Sequence, residues 1–316
     1  MIRYITQRLT ESVIVLFVMS FIIYALIGLM PGDPVDLMIS ANPRATAEDA
    51  ARLRALYGLD RPIGERYLAW LGAALQGDLG YSRLNSRPVL EVLWPRLGNT
   101  VALMGVSFVL AIMLALPCGI VAALRPRTAT DTSINLIAFA GISVPPFWLA
   151  ILLIILFAVV LGWLPAGGMP PSGAGLGAQA AYLALPVATL TIVTVGGIVR
   201  FVRAAMIEAL RQDYVRTAWA KGLGERQVVL GHVLRNAMIP VVTILALNFG
   251  ALFSGALITE TMFGYLGMGK TIYDAILGND FNLALVGLLL ATATTLLANL
   301  AADLCYTWLD PRITYK

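Results

Sequence analysis

The sequence predicts an all-α integral membrane protein with six transmembrane helices and a small helical extramembrane insert between the first two. Three observations carry this prediction. Of the 316 residues, 59% are hydrophobic and only 13% are charged, about half the charged share of a soluble domain. Apolar runs long enough to cross a bilayer recur along the chain. From Thr132 to Val199 no charged residue occurs across 68 positions, too long for one span and suited to two joined by a loop.

The first span is Val13–Met30, eighteen residues without a charge, preceded by Arg3 and Arg8. A signal peptide is the rival reading, but the run is long and no Ala-x-Ala pattern precedes Pro31, so it reads as an uncleaved anchor over 1–30. Pro31 to Gly98 then changes character, with eight arginines against eight acidic residues. That neutrality leaves no basic footprint for nucleic acid. Within this insert (31–98) Thr46–Leu56 and Glu65–Leu75 have helical periodicity, while Pro31-Gly-Asp-Pro34 and Gly77-Asp-Leu-Gly80 read as turns.

Val101–Leu124 is the second charge-free run and ends at Arg125-Pro-Arg127. The third span includes Pro145-Pro146, which must kink or break it. Pro165–Gly177 supplies a loop, and the fourth span begins near Ala184 and leaves the membrane by Arg200 or Arg203. Asn236–Thr259 and Phe281–Ala302 are the fifth and sixth. Lys/Arg placement puts both termini in the cytoplasm: inside segments then hold thirteen of the 22 basic residues, and Lys270 alone lies in the short outside loops. The other basic residues belong to the insert.

Charges within the spans are nearly absent, so no proton or ion relay stands out. Asn135, Asn248, Asn299, Thr243 and Ser254 are polar groups that read foremost as interhelical hydrogen-bonders. Glu260 and Asp303 sit at span ends, where a hydrated carboxylate is tolerable. Asn248, Ser254 and Glu260 are the candidates for a translocation path. Cys118 and Cys305 lie in apolar runs and read as core residues, not a disulfide or metal pair. A single histidine, His232, argues against histidine-rich metal sites and against an intramembrane Ser-His protease. Gly264 to Thr271 matches the phosphate-loop pattern letter for letter. It follows a transmembrane helix instead of a strand, however, and faces outside, so its glycines read as a turn.

The chain is organised around a polar segment between two long apolar runs, Asp213-Tyr-Val-Arg-Thr-Ala-Trp-Ala-Lys-Gly-Leu-Gly224. Asp213 suits a helix N-cap and Gly222 the left-handed position that ends one. Val215, Ala218, Trp219 and Gly222 recur at helical spacing and form one small apolar face, flanked by Arg216 and Lys221. A second amphipathic stretch, Gln227 to Arg235, follows. Periodicity by itself fits an ordinary inter-helix connector equally well.

The order and spacing of several motifs resemble the permease subunits of bacterial peptide-type ABC importers (dipeptide, oligopeptide, glutathione and nickel systems), in particular the first of their two permeases, the dipeptide/oligopeptide permease B-like family. The motifs are Pro31-Gly-Asp-Pro34, Tyr57-Gly-Leu-Asp-Arg-Pro62, Gly77-Asp-Leu-Gly80 with Pro88-Val89, and Asp213 to Leu223 continued by Arg235-Asn-Ala-Met-Ile-Pro240. The resemblance covers nearly the whole chain and implies a type I importer permease core over 99–305, with a cytoplasmic coupling loop at 206–236 and a cytoplasmic tail at 306–316. It also implies that Tyr214, Arg216, Thr217, Ala218, Trp219, Lys221, Gly222 and Leu223 form a short helix seated on an ATPase. Trp219 stands where relatives often carry Arg, and Leu266 where they commonly carry Pro.

The implied partners are a second, paralogous permease, two ATPase subunits or domains, an extracytoplasmic substrate-binding protein, a peptide substrate and the lipid bilayer, with no nucleic acid. The implied location is the bacterial inner membrane. No cofactor is bound directly, ATP and magnesium residing on the ATPase partners, so the chain is not itself an enzyme. Nickel, glutathione or another small solute remains an alternative cargo. A stand-alone secondary transporter would need an ionisable coupling site within Thr132–Val199, which has none.

Overall fold

The computed structural model describes residues 2–29 and 60–309, with positions 46, 48, 49, 52 and 55 between them; side chains at 2–5, 246–255 and 302–309 lie outside the described set. The turn expected at Pro31–Pro34, most of the helix expected at Thr46–Leu56 and the tail from 310 therefore fall outside the described residues. Two compact units form, Met1–Asn99 with Gly267–Leu296, and Thr100–Leu266 with Leu297–Lys316.

In the first unit α1 (Ile2–Gly28) buries the stripe Ser20, Ile23, Tyr24 and Ile27 and leaves Val13, Ile14, Phe17, Val18 and Leu26 exposed. That stripe has the i, i+3, i+4, i+7 spacing of one helix face. The short α2 (Ile63–Leu75) packs on it through Tyr67, whose hydroxyl lies 2.7 Å from the Ser20 hydroxyl. Gly77 and Gly80 adopt φ of 89° and 80°, values that favour glycine, and the Asp78 carboxylate accepts the Gly80 amide at 2.9 Å. The expected turn is present. A two-residue antiparallel pair follows, β1 (Tyr81–Ser82) with β2 (Arg87–Pro88), a small departure from an all-helical insert.

Buried Asp280 ties this hairpin down. It accepts the Ser82 hydroxyl at 2.6 Å and the Leu84 amide at 2.9 Å, and also caps α11 (Phe281–Leu309) through the Leu283 amide at 3.3 Å. Arg83 adds a bond to the Gly278 carbonyl at the end of α10 (Met268–Leu277).

The helix α3 (Val89–Leu124) begins twelve residues before the expected Val101. Glu91 and Arg96 hid its first turns from a search for charge-free runs. In the second unit α4 (Ala129–Ser143) and α5 (Pro146–Leu153) meet at a bend of 101°, the pair passing as one broken span. Pro145 drives the break: Val144 before it is extended (φ −87°, ψ 124°), as a residue preceding proline must be. A π-helical turn, Ile154–Val160, completes α5. Among the described residues five further helices are long and apolar enough to cross a membrane, Thr6–Gly28, Val89–Leu124, Leu176–Leu210, Glu225–Leu245 and Phe281–Ala301.

The helix α6 (Leu176–Leu210) starts eight residues before the expected Ala184 and carries Pro186 in its interior. It touches its neighbours backbone to backbone. A Cβ at Gly196 would lie 2.2 Å from the Ala138 carbonyl oxygen, one at Gly141 3.0 Å from that of Ile192, and one at Gly119 2.7 Å from the Val202 side chain. Small residues permit this approach, which yields dispersion contact where lipid offers no hydrophobic drive. At one end of the α4–α6 contact Arg203 forks onto buried Asp131 at 2.6 and 2.7 Å, and Asn135 and the Arg127 amide complete the carboxylate's shell. Asn135 is thus tied to Asp131 within its own helix, not to another helix.

Two outcomes test this packing. Gly196→Leu wedges α4 from α6 and is expected to lower stability by about 1–3 kcal/mol, seen as a lower thermal midpoint in detergent, while Gly197→Ala, which meets open space, leaves the midpoint unchanged or raises it. Asp280→Ala strands the Leu84 amide and Ser82 hydroxyl and costs about 1–3 kcal/mol locally, read as faster hydrogen exchange across 80–90.

Candidate functional site

The segment after α6 folds as α7 (Asp213–Ala220). Gln212, not Asp213, holds the extended cap geometry, and Asp213 is the first helical residue. Its carboxylate lies 3.4 Å from Arg216, an exposed pair of little energetic consequence. The far end follows the Schellman pattern. Gly222 has φ of 78°, its amide reaches the Trp219 carbonyl at 2.9 Å, and the Leu223 amide reaches that of Ala218 at 3.4 Å. The left-handed glycine is where its residue type predicts.

The apolar face divides. Val215 and Ala218 are buried and Leu223 half-buried, joining a core with Ala205, Met206 and Ala209 of α6 and with Val228, Val229 and Val233. Trp219, 45% exposed, points away from that core, and Gly222 is exposed as well. Helical spacing put Trp219 with Val215 because the four positions fit one broad arc, but only its inner half meets the protein. Tyr214, Arg216, Thr217 and Lys221 are exposed beside Trp219. A surface of two aromatics and basic side chains results, a composition suited to a protein partner. Burial raises the Tyr214 phenol above its ordinary value, partly offset by a hydrogen bond with Asn236.

The second amphipathic stretch begins with α8 (Glu225–Gln227) and continues as a π-helical turn, Val228–Val233, into α9 (Leu234–Met262). Nothing in the sequence signalled the wider turn. His232 is exposed on it, and its carbonyl accepts from Asn236 at 2.7 Å.

The path candidates share α9 but not a face. At about 100° per residue, Asn248, Ser254 and Glu260 fall roughly 120° apart around it; the side chains of Asn248 and Ser254 lie outside the described residues. Glu260 is fully buried and accepts the Thr100 hydroxyl at 2.5 Å, so within this chain it is enclosed, not the hydrated carboxylate expected of a span end. Buried Tyr265 follows it, with its phenol pushed up to about 12 by burial and then by the Glu260 charge.

The phosphate-loop look-alike has none of the geometry its letters suggest. It leaves the helix α9, Gly264 turns at φ 59°, and Lys270 pairs with Asp274 one turn further along α10 at 2.6 Å. Among the described residues no His/Cys/Asp/Glu cluster could hold a metal ion. Cys118 is half-buried and carries a free thiol.

Two family models match the chain. Residues 115–315 match the binding-protein-dependent transport system inner membrane component, and residues 1–104 match the N-terminal region of such membrane components. A Brucella ovis protein named as a peptide permease is 39% identical, with 99% of each chain covered. The oligopeptide transport system permease protein AppB of Bacillus subtilis is 35% identical, with both chains covered in full. The glutathione transport system permease protein GsiC of Escherichia coli (strain CFT073) is 37% identical, also over both whole chains. Among solved structures, the inward-facing MetNI methionine ABC transporter shares the fold, with a TM-score of 0.59 at 19% identity over 71% of this chain and 98% of that one. The chain therefore belongs to the binding-protein-dependent ABC importer permeases, multi-pass membrane subunits that work with an ATPase, a partner permease and a binding protein and do not hydrolyse ATP themselves.

Proposed function

We propose that this chain forms, with a paralogous second permease, the membrane path of an importer for short peptides, and that α7 is the element two ATPase subunits or domains act on. The observation that carries the coupling assignment is the split of α7. Val215, Ala218 and Leu223 root it in the core, while Tyr214, Arg216, Thr217, Trp219, Lys221 and Gly222 face outward. A short helix built that way moves as one piece with α6 and the base of α9 when it is pushed. Closure of the ATPases then becomes a rotation of packed helices, not the bending of a loop.

The distribution of basic residues supports cytoplasmic N- and C-termini in the bacterial inner membrane, which places α7 on the ATP side. Relatives named for peptides, oligopeptides and glutathione support a short-peptide cargo over nickel. An extracytoplasmic binding protein delivers that cargo at the outer face. The path runs along α9, where positions 248, 254 and 260 fall about 120° apart around the axis, so no single face of that helix carries all three.

Substrate-stimulated ATP hydrolysis by the reconstituted complex tests the coupling. Gly222→Asp forces a side chain into left-handed backbone at a cost of about 1–2 kcal/mol, and stimulation is expected to fall about tenfold while the chain still inserts. Full stimulation by that variant would make α7 a mere connector. Lys270→Ala, by contrast, is expected to leave ATP binding by the assembled complex unchanged, checked by nucleotide titration.

A further inference from the structure

We propose that α2, although it lies in the insert, is embedded sideways in the membrane, with Leu68 and Leu75 against lipid acyl chains in the leaflet crossed by the C-terminal half of α1. The register of α2 on α1 sets the depth. Ile63 sits at the level of Gly28, the end of the apolar span Thr6–Gly28, where a Cβ on that glycine would lie 3.2 Å from Ile63 Cδ1. Tyr67 reaches much further along α1. Its hydroxyl meets that of Ser20, and its ring packs edge-on against Phe17, Phe21 and Tyr24 at centroid distances of 6.5, 5.2 and 5.6 Å. At 1.5 Å per residue Ser20 lies about 12 Å along the axis from Gly28 and Phe17 about 16 Å. Roughly 20 residues fill the hydrocarbon, so these contacts lie well inside it. An element that touches α1 there has left the aqueous phase.

The helix is built for that position. Its 13 residues extend only about 20 Å, short of the ~30 Å hydrocarbon thickness, so it cannot cross. Polar residues sit at both ends, Asp60 and Arg61 before it, Glu65 and Arg66 in its first turn and Gln76 and Asp78 after it, and keep both ends near water. Between them Tyr67 to Leu75 carries no charge. Viewed down the axis, Tyr67, Trp70, Leu71 and Ala74 point towards the packed side, and Leu68 and Leu75 continue the same apolar arc about 90° round it. Those two leucines are 65% and 81% exposed, whereas Glu65 and Gln76 occupy the opposite arc. An apolar arc wider than the protein it packs on, with a polar back, is the pattern of an interfacial helix. The lipid-facing surface of α1, with Val13, Ile14, Val18 and Leu26 exposed, thus extends onto α2.

The test uses the full chain with its partner subunits, reconstituted into vesicles of phosphatidylcholine and phosphatidylglycerol. A nitroxide is attached at Leu68→Cys, Leu75→Cys, Glu65→Cys or Gln76→Cys, one at a time, with Cys118 and Cys305 replaced by alanine. Collision with oxygen, which concentrates in hydrocarbon, is compared with collision with a water-soluble nickel chelate. The expected result is a ratio that inverts, oxygen dominating at 68 and 75 and the chelate at 65 and 76. Chelate access at 68 and 75 equal to that at 65 and 76 would put α2 in water and overturn the proposal. Shielding of 68 and 75 from both reagents would mean that a partner subunit covers this face, and would overturn it equally.

Discussion

In the second unit the main chains of α4 and α6 touch. With Gly196 against the Ala138 carbonyl and Gly141 against that of Ile192, no side chain separates the two helices. In hydrocarbon this contact replaces the hydrophobic effect, since lipid tails solvate leucine as well as another helix does. Dispersion at close range and satisfied polar groups must hold the helices instead. The Asp131–Arg203 fork supplies the second kind of contact at one end of the pair. Removal of one partner would leave the other charged and poorly solvated, so the pair specifies the alignment of α4 with α6 as much as it stabilises it.

The rest of that unit inherits its position from this contact. The C-terminal turns of α6 carry Ala205, Met206 and Ala209, and these receive Val215 and Ala218 of α7 together with the valines of the π-helical turn. The apolar half of α7 is used up inside the protein. On its outer half Tyr214, Arg216, Thr217, Trp219 and Lys221 remain exposed. The Schellman closure at Gly222 keeps the backbone of that outer half hydrogen-bonded, so the surface is presented by a rigid element. Such rigidity is what the proposed coupling role requires, because a disordered loop would absorb the displacement.

In the first unit one carboxylate does comparable work. Asp280 holds the Tyr81–Pro88 hairpin and begins α11. Its demands are met by amides and a hydroxyl, so no counter-charge is needed at that buried site. The ring cluster of Tyr24, Tyr67, Trp70 and Phe281 joins the insert to the first span by aromatic edges. That junction is apolar for a simple reason: one side of it belongs to a helix that lives in lipid.

Much of this was legible in the residues. Charge-free runs located the spans, because a bilayer tolerates few charges, and Pro145-Pro146 announced the break between α4 and α5 because proline lacks an amide and constrains its neighbour. Gly222 declared a left-handed cap, and the ordered motifs from Tyr57-Gly-Leu-Asp-Arg-Pro62 to Arg235-Asn-Ala-Met-Ile-Pro240 declared the family. Span starts were misplaced at α3 and α6, since Glu91 and Arg96 are tolerated in the first turns of one helix and Gly177 and Gln179 in those of the other. What only the tertiary structure decided was partnership. It buried Glu260 on Thr100, turned Trp219 outward from the arc it shares with Val215, paired Asp131 with Arg203 across 72 positions, and laid Tyr67 deep along α1. Helical periodicity is a property of near neighbours and can be read along the chain. Which face meets which, and how deep in the bilayer, depends on residues far apart in sequence.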